Sequence, residues 1–516
     1  MMYRIHQIKL DLTDSKEKIP EKILKKIGIR DLSIKEWHIV KESIDARDKA
    51  NIKWIYSVDF IANKKLKLEE APVIEYRLPE VDRNLLSDRQ KPIVVGFGPA
   101  GIFAALILAQ AGLNPIVIER GKEVEKRACD VENFWNNGML NAESNVQFGE
   151  GGAGAFSDGK LTTGIKDVRI KKVLEELVRF GAPSEILYKQ KPHIGTDMLR
   201  IVVKNLREEI IRLGGQIVFE TKMTDIIVSE GKIKGLVCEK NKEQSTYFCS
   251  HVILAPGHSA RDTFEQLNDI GIQMEQKPFS IGVRIEHPQE LVDIAQYGGP
   301  HGDIGLPPAE YKLSHRCKGD SDVDGRGVYT FCMCPGGQVI TASSQEKGVV
   351  VNGMSLHARN SGWANSALLC DVRTDDFGSS DVLAGVRFQE KYEHKAYLQA
   401  GGRYAPPACT WGALRDGKAP HVEGCLPEFA VAAFRQAMPE LGKKLKGFDA
   451  DDAKVYAVET RSSSPVRILR GKNGQSVSVL GLYPCGEGAG YAGGITSAAV
   501  DGIKMAEALI CDMQGK

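Results

Sequence analysis

Three glycines set the first chemical expectation. The stretch Lys91 to Glu119 reads KPIVVGFGPAGIFAALILAQAGLNPIVIE. Ile93-Val94-Val95 is a short apolar run suited to a buried parallel strand, and Gly96-Phe97-Gly98-Pro99-Ala100-Gly101 follows it directly. Gly96 permits a tight turn, and Gly98 lets backbone approach a pyrophosphate with no Cβ in the way. Gly101 lets the next helix pack closely on the sheet. The N-terminus of that helix offers unpaired N–H groups to phosphate oxygens. Gly112 closes the helix, Ile116 to Ile118 forms a second strand, and Glu119 ends it. A carboxylate at that position accepts hydrogen bonds from ribose hydroxyls and would repel a 2′-phosphate. The pattern predicts an ADP-ribose site, which by itself does not separate FAD from NAD.

The continuation Glu119-Arg120-Gly121 resembles the FAD members of the superfamily known for a two-dinucleotide-binding-domain motif. Asn145 to Thr163, NVQFGEGGAGAFSDGKLTT, repeats GxGxxG at Gly149 to Gly154 but has no long apolar helix behind it. It reads as a backbone-rich loop whose amides line an anion or a flavin edge. In similar flavoproteins such a loop follows the pyrophosphate toward the isoalloxazine, which implicates Gly151, Gly152 and Ala153, with Ser157 and Lys160 as polar contacts. Gln216 to Gly257 ends in HVILAPG and resembles the strand that returns to the FAD domain. Its Ala255-Pro256-Gly257 stands where Ala-Thr-Gly is common, and the resemblance places adenine near Met223. Val477 to Leu509 reads as a buried strand running to Leu480, then Gly486-Glu487 in the place of a ribityl-holding Gly-Asp pair. A helix starting at Gly494-Ile495-Thr496 would set its positive end against flavin N1 and O2.

FGEGGAGAFSDGKL, Lys277 to Gln289 (KPFSIGVRIEHPQ), Thr330 to Gly337 (TFCMCPGG) and Glu459 to Ile468 (ETRSSSPVRI) together resemble one bacterial family. These are the uncharacterised FAD-dependent dehydrogenases, also called NAD(FAD)-utilising dehydrogenases. The likeness spans nearly the whole chain, including Ser43-Ile44-Asp45-Ala46-Arg47. It implies an FAD cofactor, with NAD(P)H as a transient electron donor, and names no substrate. The expected chemistry is hydride transfer between a small organic molecule and flavin N5. Other readings are an FAD-dependent monooxygenase, a flavin-bearing RNA-binding or RNA-modifying protein, and a non-catalytic redox sensor. Candidate substrate-handling residues are Arg284, Glu286, His287, Arg461 and Arg467, any arginine of which could clamp a carboxylate. Strand alternation puts Cys332 and Cys334 on one face, as a redox pair or as packed apolar thiols. Cys485 reads first as packing, and His258 and His357 lack metal-ligand spacing, so no metal is expected.

These residues need a scaffold, and the patterning predicts an α/β one. A Rossmann-like FAD-binding domain (89–276 and 451–516) would hold an inserted mixed α+β substrate domain (277–450), preceded by a small ferredoxin-like α+β domain (1–88). In the first unit, strands are expected at Tyr3 to Leu10, Trp37 to Ala46 and Ile52 to Ala62, with a helix from Glu17 to Ile27. A charged link from Leu78 to Pro92 follows. In the inserted unit, Ser280 to Glu286, Gly327 to Cys334, Gln338 to Ser343 and Val349 to Ser355 suggest an antiparallel sheet. Two amphipathic helices are expected near Val382 to Ala400 and Leu426 to Leu445.

Glycine is enriched, 53 in 516 residues against a usual ~7%, and the excess sits in the clusters above. Net charge is +1, so no overall field marks a binder of nucleic acid or anionic membrane. The first 68 residues hold 16 Lys+Arg against 10 Asp+Glu. This keeps RNA binding open beside the simpler reading of a docking or dimerisation module. Eleven cysteines without framework spacing suggest reduced thiols and a cytoplasmic protein. Gly101 to Leu113, the longest apolar run, falls short of the ~20 residues that span a bilayer.

Overall fold

Runs of apolar residues with no polar face are stable as strands only where both sides of the sheet are covered. In the computed structural model, which describes residues 2–29, 31–73, 75–82, 84, 90–319 and 322–515, four such runs and one half-exposed edge strand form one sheet. Its order is Leu482–Pro484, Val252–Leu254, Ile93–Val95, Ile116–Ile118 and Gln216–Val218, and every neighbouring pair is parallel. The helix Pro99–Gln110 is apolar all round, with Ala100 through Ala109 buried. It lies between the sheet and two further helices, Ile495–Met513 and Thr196–Arg212, so no side of it meets water. The fold is α/β and Rossmann-like, and its other edge strand comes from the far end of the chain. An antiparallel meander, Lys222–Ser229, Lys232–Lys240 and Glu243–Phe248, lies beside it.

The N-terminal unit follows its sequence pattern. Strands Met2–Asp11, Ile34–Asp45 and Lys53–Ala62 pair antiparallel with the third in the centre. The helix Ile19–Ile27 lays Ile19 and Ile23 against them and ends at left-handed Gly28. The unit is thus a βαββ half of a ferredoxin-like fold. Residues 83 and 85–89, within the expected link and at the expected domain boundary, lie outside the described residues.

The inserted unit is built on a six-stranded antiparallel sheet ordered Ser314–Arg316, Gly327–Cys334, Trp363–Val372, Phe279–Pro288, Lys454–Glu459, Ala408–Thr410. The helices Ala384–Gln399 and Glu428–Lys444 pack on it. Four expectations are corrected here. Trp363–Val372, a central strand, was not anticipated. Gln338–Thr341 and Val351–Met354 form a separate two-stranded ribbon instead of joining the sheet. Lys454–Glu459, assigned above to the returning nucleotide segment, pairs with Phe279–Pro288 in the inserted sheet. The buried strand expected to run to Leu480 lies two residues later, and Val477 and Leu480 are each 51% exposed. Leu480 instead bonds Gly231 and Ile233 at the meander's first turn. No helix among the described residues is long and apolar enough to cross a membrane.

Candidate functional site

Between the parallel sheet and the inserted sheet lies a cavity of about 750 Å³, within the ~300–1,000 Å³ usual for small-molecule sites. It runs from the turn at Gly96 to Ala100, past Gly152 to Gly154 and Ala255 to Gly257, to Gly486-Glu487 and Gly494-Ile495. Thr330, Phe331, Cys332 and Met333 of the inserted sheet form part of its opposite wall. Segments some 400 residues apart in sequence thus share one wall.

At the nucleotide end the backbone is closely packed. A Cβ on Gly101 would collide with the carbonyl oxygen of Gly96, so only glycine lets the helix sit this low on the sheet. Gly98 differs: its backbone is extended, and a Cβ would meet only Gly152, at 3.6 Å. The space beside it is a cradle that a larger side chain would fill, as a pyrophosphate-binding turn requires. Glu119 is more committed than expected. Its Oε1 accepts from the amides of Gly121 (2.9 Å) and Gly149 (3.0 Å), and its Oε2 from that of Phe97 (2.8 Å). A carboxylate offers about four acceptor directions, which leaves one for a ribose hydroxyl rather than two. Arg120 is a bracket more than a ligand: it pairs with Glu143 (2.6 Å) and bidentately with Asp262 (2.8 and 2.9 Å), over the ring of Phe148. Met223, buried, lines this end beside Phe97.

The glycine loop is held open by a residue that sequence reasoning missed. Arg127, fully buried, donates to the carbonyls of Asn145 (2.8 Å), Val146 (2.9 Å), Glu150 (2.6 Å) and Gly149 (3.3 Å). Burial pulls its pKa down to about 9, so it keeps its charge at neutral pH. With these carbonyls turned toward Arg127, the loop amides of residues 147–152 are themselves paired, Gly149 with Glu119, Glu150 with Lys122 O and Gly152 with Gly149 O among them, so the loop is a rigid wall. Gly151 bonds Phe97 O (2.8 Å) and does not reach the cavity, unlike Gly152, Ala153, Ser157 and Lys160. The Ser157 hydroxyl is used within the loop: it donates to Gly154 O and accepts from the Gly159 amide.

At the other end, the helix Ile495–Met513 points its N-terminus at the cavity through Gly494 and Ile495. Thr496 turns away, donating to Leu161 O at 2.8 Å. Cys485 lines the wall, fully buried, its thiol pushed well up by burial. Burial also pushes the Glu487 carboxyl up to about 7, against the opposing charge of Lys277. The folded chain therefore holds this proton where the unfolded chain has released it. The associated stability is fully present below about 4.5 and falls as pH rises to about 7. Glu150 and Glu459, each raised to about 7 by burial, act with the same sign. In flavin-free protein, Glu487→Gln is expected to remove one falling component from the pH dependence of Tm between about pH 5 and pH 7.5, a component that the depressed His258 and His193 oppose below about pH 6.5. Equal slopes by scanning calorimetry would remove Glu487 as a contributor.

Of the arginines expected to handle substrate, Arg461 alone lines the cavity, and it has no donor to spare. Its five N–H groups go to Glu393 twice (2.7 and 3.1 Å), Ser259 (3.0 Å), Ser344 and Gln345. Glu393, unrecognised from sequence, also pairs bidentately with Arg261 (2.6 and 2.9 Å). Although burial alone would raise it, these two guanidiniums hold its carboxyl far below the usual range. Arg284 is likewise saturated, by Glu459 (2.6 and 3.1 Å), Cys332 O, Asn365 and Asn352. It braces the cavity wall from behind. Arg467 pairs with Glu275 (2.9 Å) outside the cavity. Glu286 meets Tyr456 (3.3 Å), and His287 donates to Phe448 O (2.8 Å), both also away from it. His258 lines the cavity, and burial, aided by Arg461 and Arg261, pulls it down to about 3, so it is neutral. His357 stacks on His193 with centroids 5.2 Å apart. Cys332 breaks the expected alternation: between Phe331 and Cys334 the strand carries a bulge against Trp363–Val372, and Cys332 has φ +43°.

Residues 278–424 match the family model "FAD-dependent protein, C-terminal domain-like", and residues 2–61 match a domain of unknown function, DUF8436. An uncharacterized protein of Clostridium beijerinckii is 46% identical over 538 residues, covering 99% of each chain. Among solved structures, a flavoprotein/dehydrogenase of Cytophaga hutchinsonii is similar at 12% identity over 83% of this chain and 79% of that one, with a TM-score of 0.37. The glycerol-3-phosphate dehydrogenase of Bacillus halodurans, solved with FAD, is similar at 14% identity over 83% and 65%, with a TM-score of 0.34. The chain belongs to the family of uncharacterised FAD-dependent proteins, and FAD is its cofactor.

Proposed function

We propose that the protein is an FAD-dependent oxidoreductase whose small organic substrate enters the cavity beneath the inserted sheet and exchanges hydride with flavin N5. The observation that carries this reading is the continuity of the cavity from Gly98 to Thr330–Met333. With a pyrophosphate held at the first, the rest of the cofactor would extend toward the second. When bound, FAD supplies a two-electron acceptor and donor, and the protein supplies orientation and field. Gly98 and the Pro99–Gln110 helix would hold the pyrophosphate, and Glu119 one ribose hydroxyl. The N-terminus of Ile495–Met513 would stabilise negative charge at the ring. Since Arg461 and Arg284 are saturated, an anionic substrate group would be met by Lys160, Lys191 or Lys312, all lining the cavity. Residues 277–459 set specificity in this reading, and residues 1–88 serve docking in the cytoplasm.

The protein is expected to purify yellow, with one FAD per chain, and to be reduced under anaerobic stopped-flow by NADH, NADPH or a small organic donor. Among the described residues no second parallel sheet offers a nicotinamide nucleotide its own fold, so a nicotinamide donor would bind transiently in the same cavity. Flavin that is bound yet reduced by no donor would replace this reading with the sensor one.

A further inference from the structure

We propose that Cys332 and Cys334 form a dithiol–disulfide couple that exchanges two electrons with FAD and takes carboxylate-bearing thiols as its partner in solution. The proposal rests on the reading that FAD fills the cavity. Cys332 lines that cavity, close enough to Glu487 for its charge to act on the carboxyl, while Cys334 is fully buried behind it. The bulge folds the second cysteine back on the first: Cys334 Sγ lies 3.3 Å from the carbonyl oxygen of Cys332, and Arg284 donates to the same oxygen at 2.9 Å. A non-glycine residue at φ +43° is held against its own preference, and such strain gathers where geometry serves a site.

The two sulfurs are also unequal. Cys334, with Arg284 behind it, draws the Cys332 thiol below its ordinary value, while Cys334 itself is raised well above the ordinary range. One accessible thiolate backed by one buried thiol is the arrangement that thiol–disulfide exchange requires. The same cavity is lined by Lys160, Lys191 and Lys312, the first paired with Asp158 and Glu310 and the second with Glu310; Lys312 is placed for the carboxylate of an incoming thiol.

The step balances. With Cys332 as thiolate and Cys334 as thiol, one S–H bond breaks and one S–S bond forms between them, and both electrons with the Cys334 proton would pass to oxidised FAD. Two external thiols then open the S–S bond through a mixed disulfide on Cys332, restoring the Cys332 thiolate and the Cys334 thiol and releasing one proton and an external disulfide. Dioxygen reoxidises the flavin, taking two electrons and two protons as hydrogen peroxide.

Two measurements test this. Anaerobic dithionite titration of air-oxidised, FAD-loaded protein is expected to consume four electrons per FAD in the wild type, and two in Cys332→Ser and Cys334→Ser. Flavin-free wild-type protein, equilibrated with reduced and oxidised glutathione and mapped by mass spectrometry, is expected to give a 332–334 disulfide peptide two hydrogens lighter than its reduced form. Two electrons per FAD in the wild type, or no such peptide under oxidising glutathione, would overturn the couple and leave the FAD reading standing. A protein that forms the peptide but retains no FAD would overturn the exchange with flavin through failure of the FAD reading itself.

Discussion

Gly98→Val is expected to leave the flavin-free protein folded and to weaken FAD binding by on the order of 1,000-fold, which corresponds to ~4 kcal/mol. The fold tolerates the change because Gly98 has φ −80° and ψ −173°, extended backbone open to any residue. A Cβ there makes only ordinary contacts, with Gly152 at 3.6 and 3.9 Å. The two γ-methyl groups then occupy the cradle between the turn and the glycine loop, where phosphate oxygens need bare backbone. Gly101→Val is the matched opposite: its Cβ would strike the Gly96 carbonyl, so the fold itself fails. Flavin absorbance after reconstitution reads binding, and the far-UV dichroism of the flavin-free protein reads folding. Full FAD occupancy in Gly98→Val would remove the turn from the phosphate site.

Arg127→Met is expected to lower stability by about 4 kcal/mol and to loosen FAD together with the loop. The guanidinium is fully buried and serves four carbonyls of residues 145–150. Methionine replaces its volume and none of its donors, and each buried carbonyl left unpaired costs ~1–3 kcal/mol. At roughly 1 °C per kcal/mol for a chain of 516 residues, Tm falls by about 4 °C. Arg127→Lys recovers little, because an ammonium cannot reproduce a planar fork aimed at several carbonyls. Hydrogen exchange at the amides of residues 149–154 separates a loop effect from a general one. Unchanged protection there, with Tm intact, would show that the loop keeps its shape without the arginine.

What the sequence made legible was local. Gly96, Gly98 and Gly101 each answer one nearby steric demand, and the helices Pro99–Gln110 and Ile495–Met513 follow from patterning and their glycine starts. Long-range pairing was opaque. Arg127 sits in a charged helix, Val124–Asn137, and Glu393 stands among lysines in Ala384–Gln399. Both read as solvated faces until the partners arrive from residues 145–150, 261 and 461. Trp363–Val372 hid as a strand because Asn365, Ser366 and Asp371 interrupt its apolar run. Those polar groups meet Arg284, the Tyr311 hydroxyl and the Gly327 amide, none of them near in sequence. Cys332 was misread for a related reason: strand alternation assumes an unbroken ladder, and a bulge is a property of two strands together.

The edge strand Leu482–Pro484 closes on Val252–Leu254, which itself pairs with Ile93–Val95. On the ribosome this makes the cofactor domain a late arrival. Val252–Leu254 emerges with one edge bare, and its covering strand lies ~230 residues downstream, some 10–50 s of translation at ~5–20 residues per second. During that interval all six strands of the inserted sheet, through Lys454–Glu459, are synthesised, whereas the nucleotide sheet presents an open apolar edge of the kind that seeds aggregation. Chains halted before residue 482 would keep that edge bare.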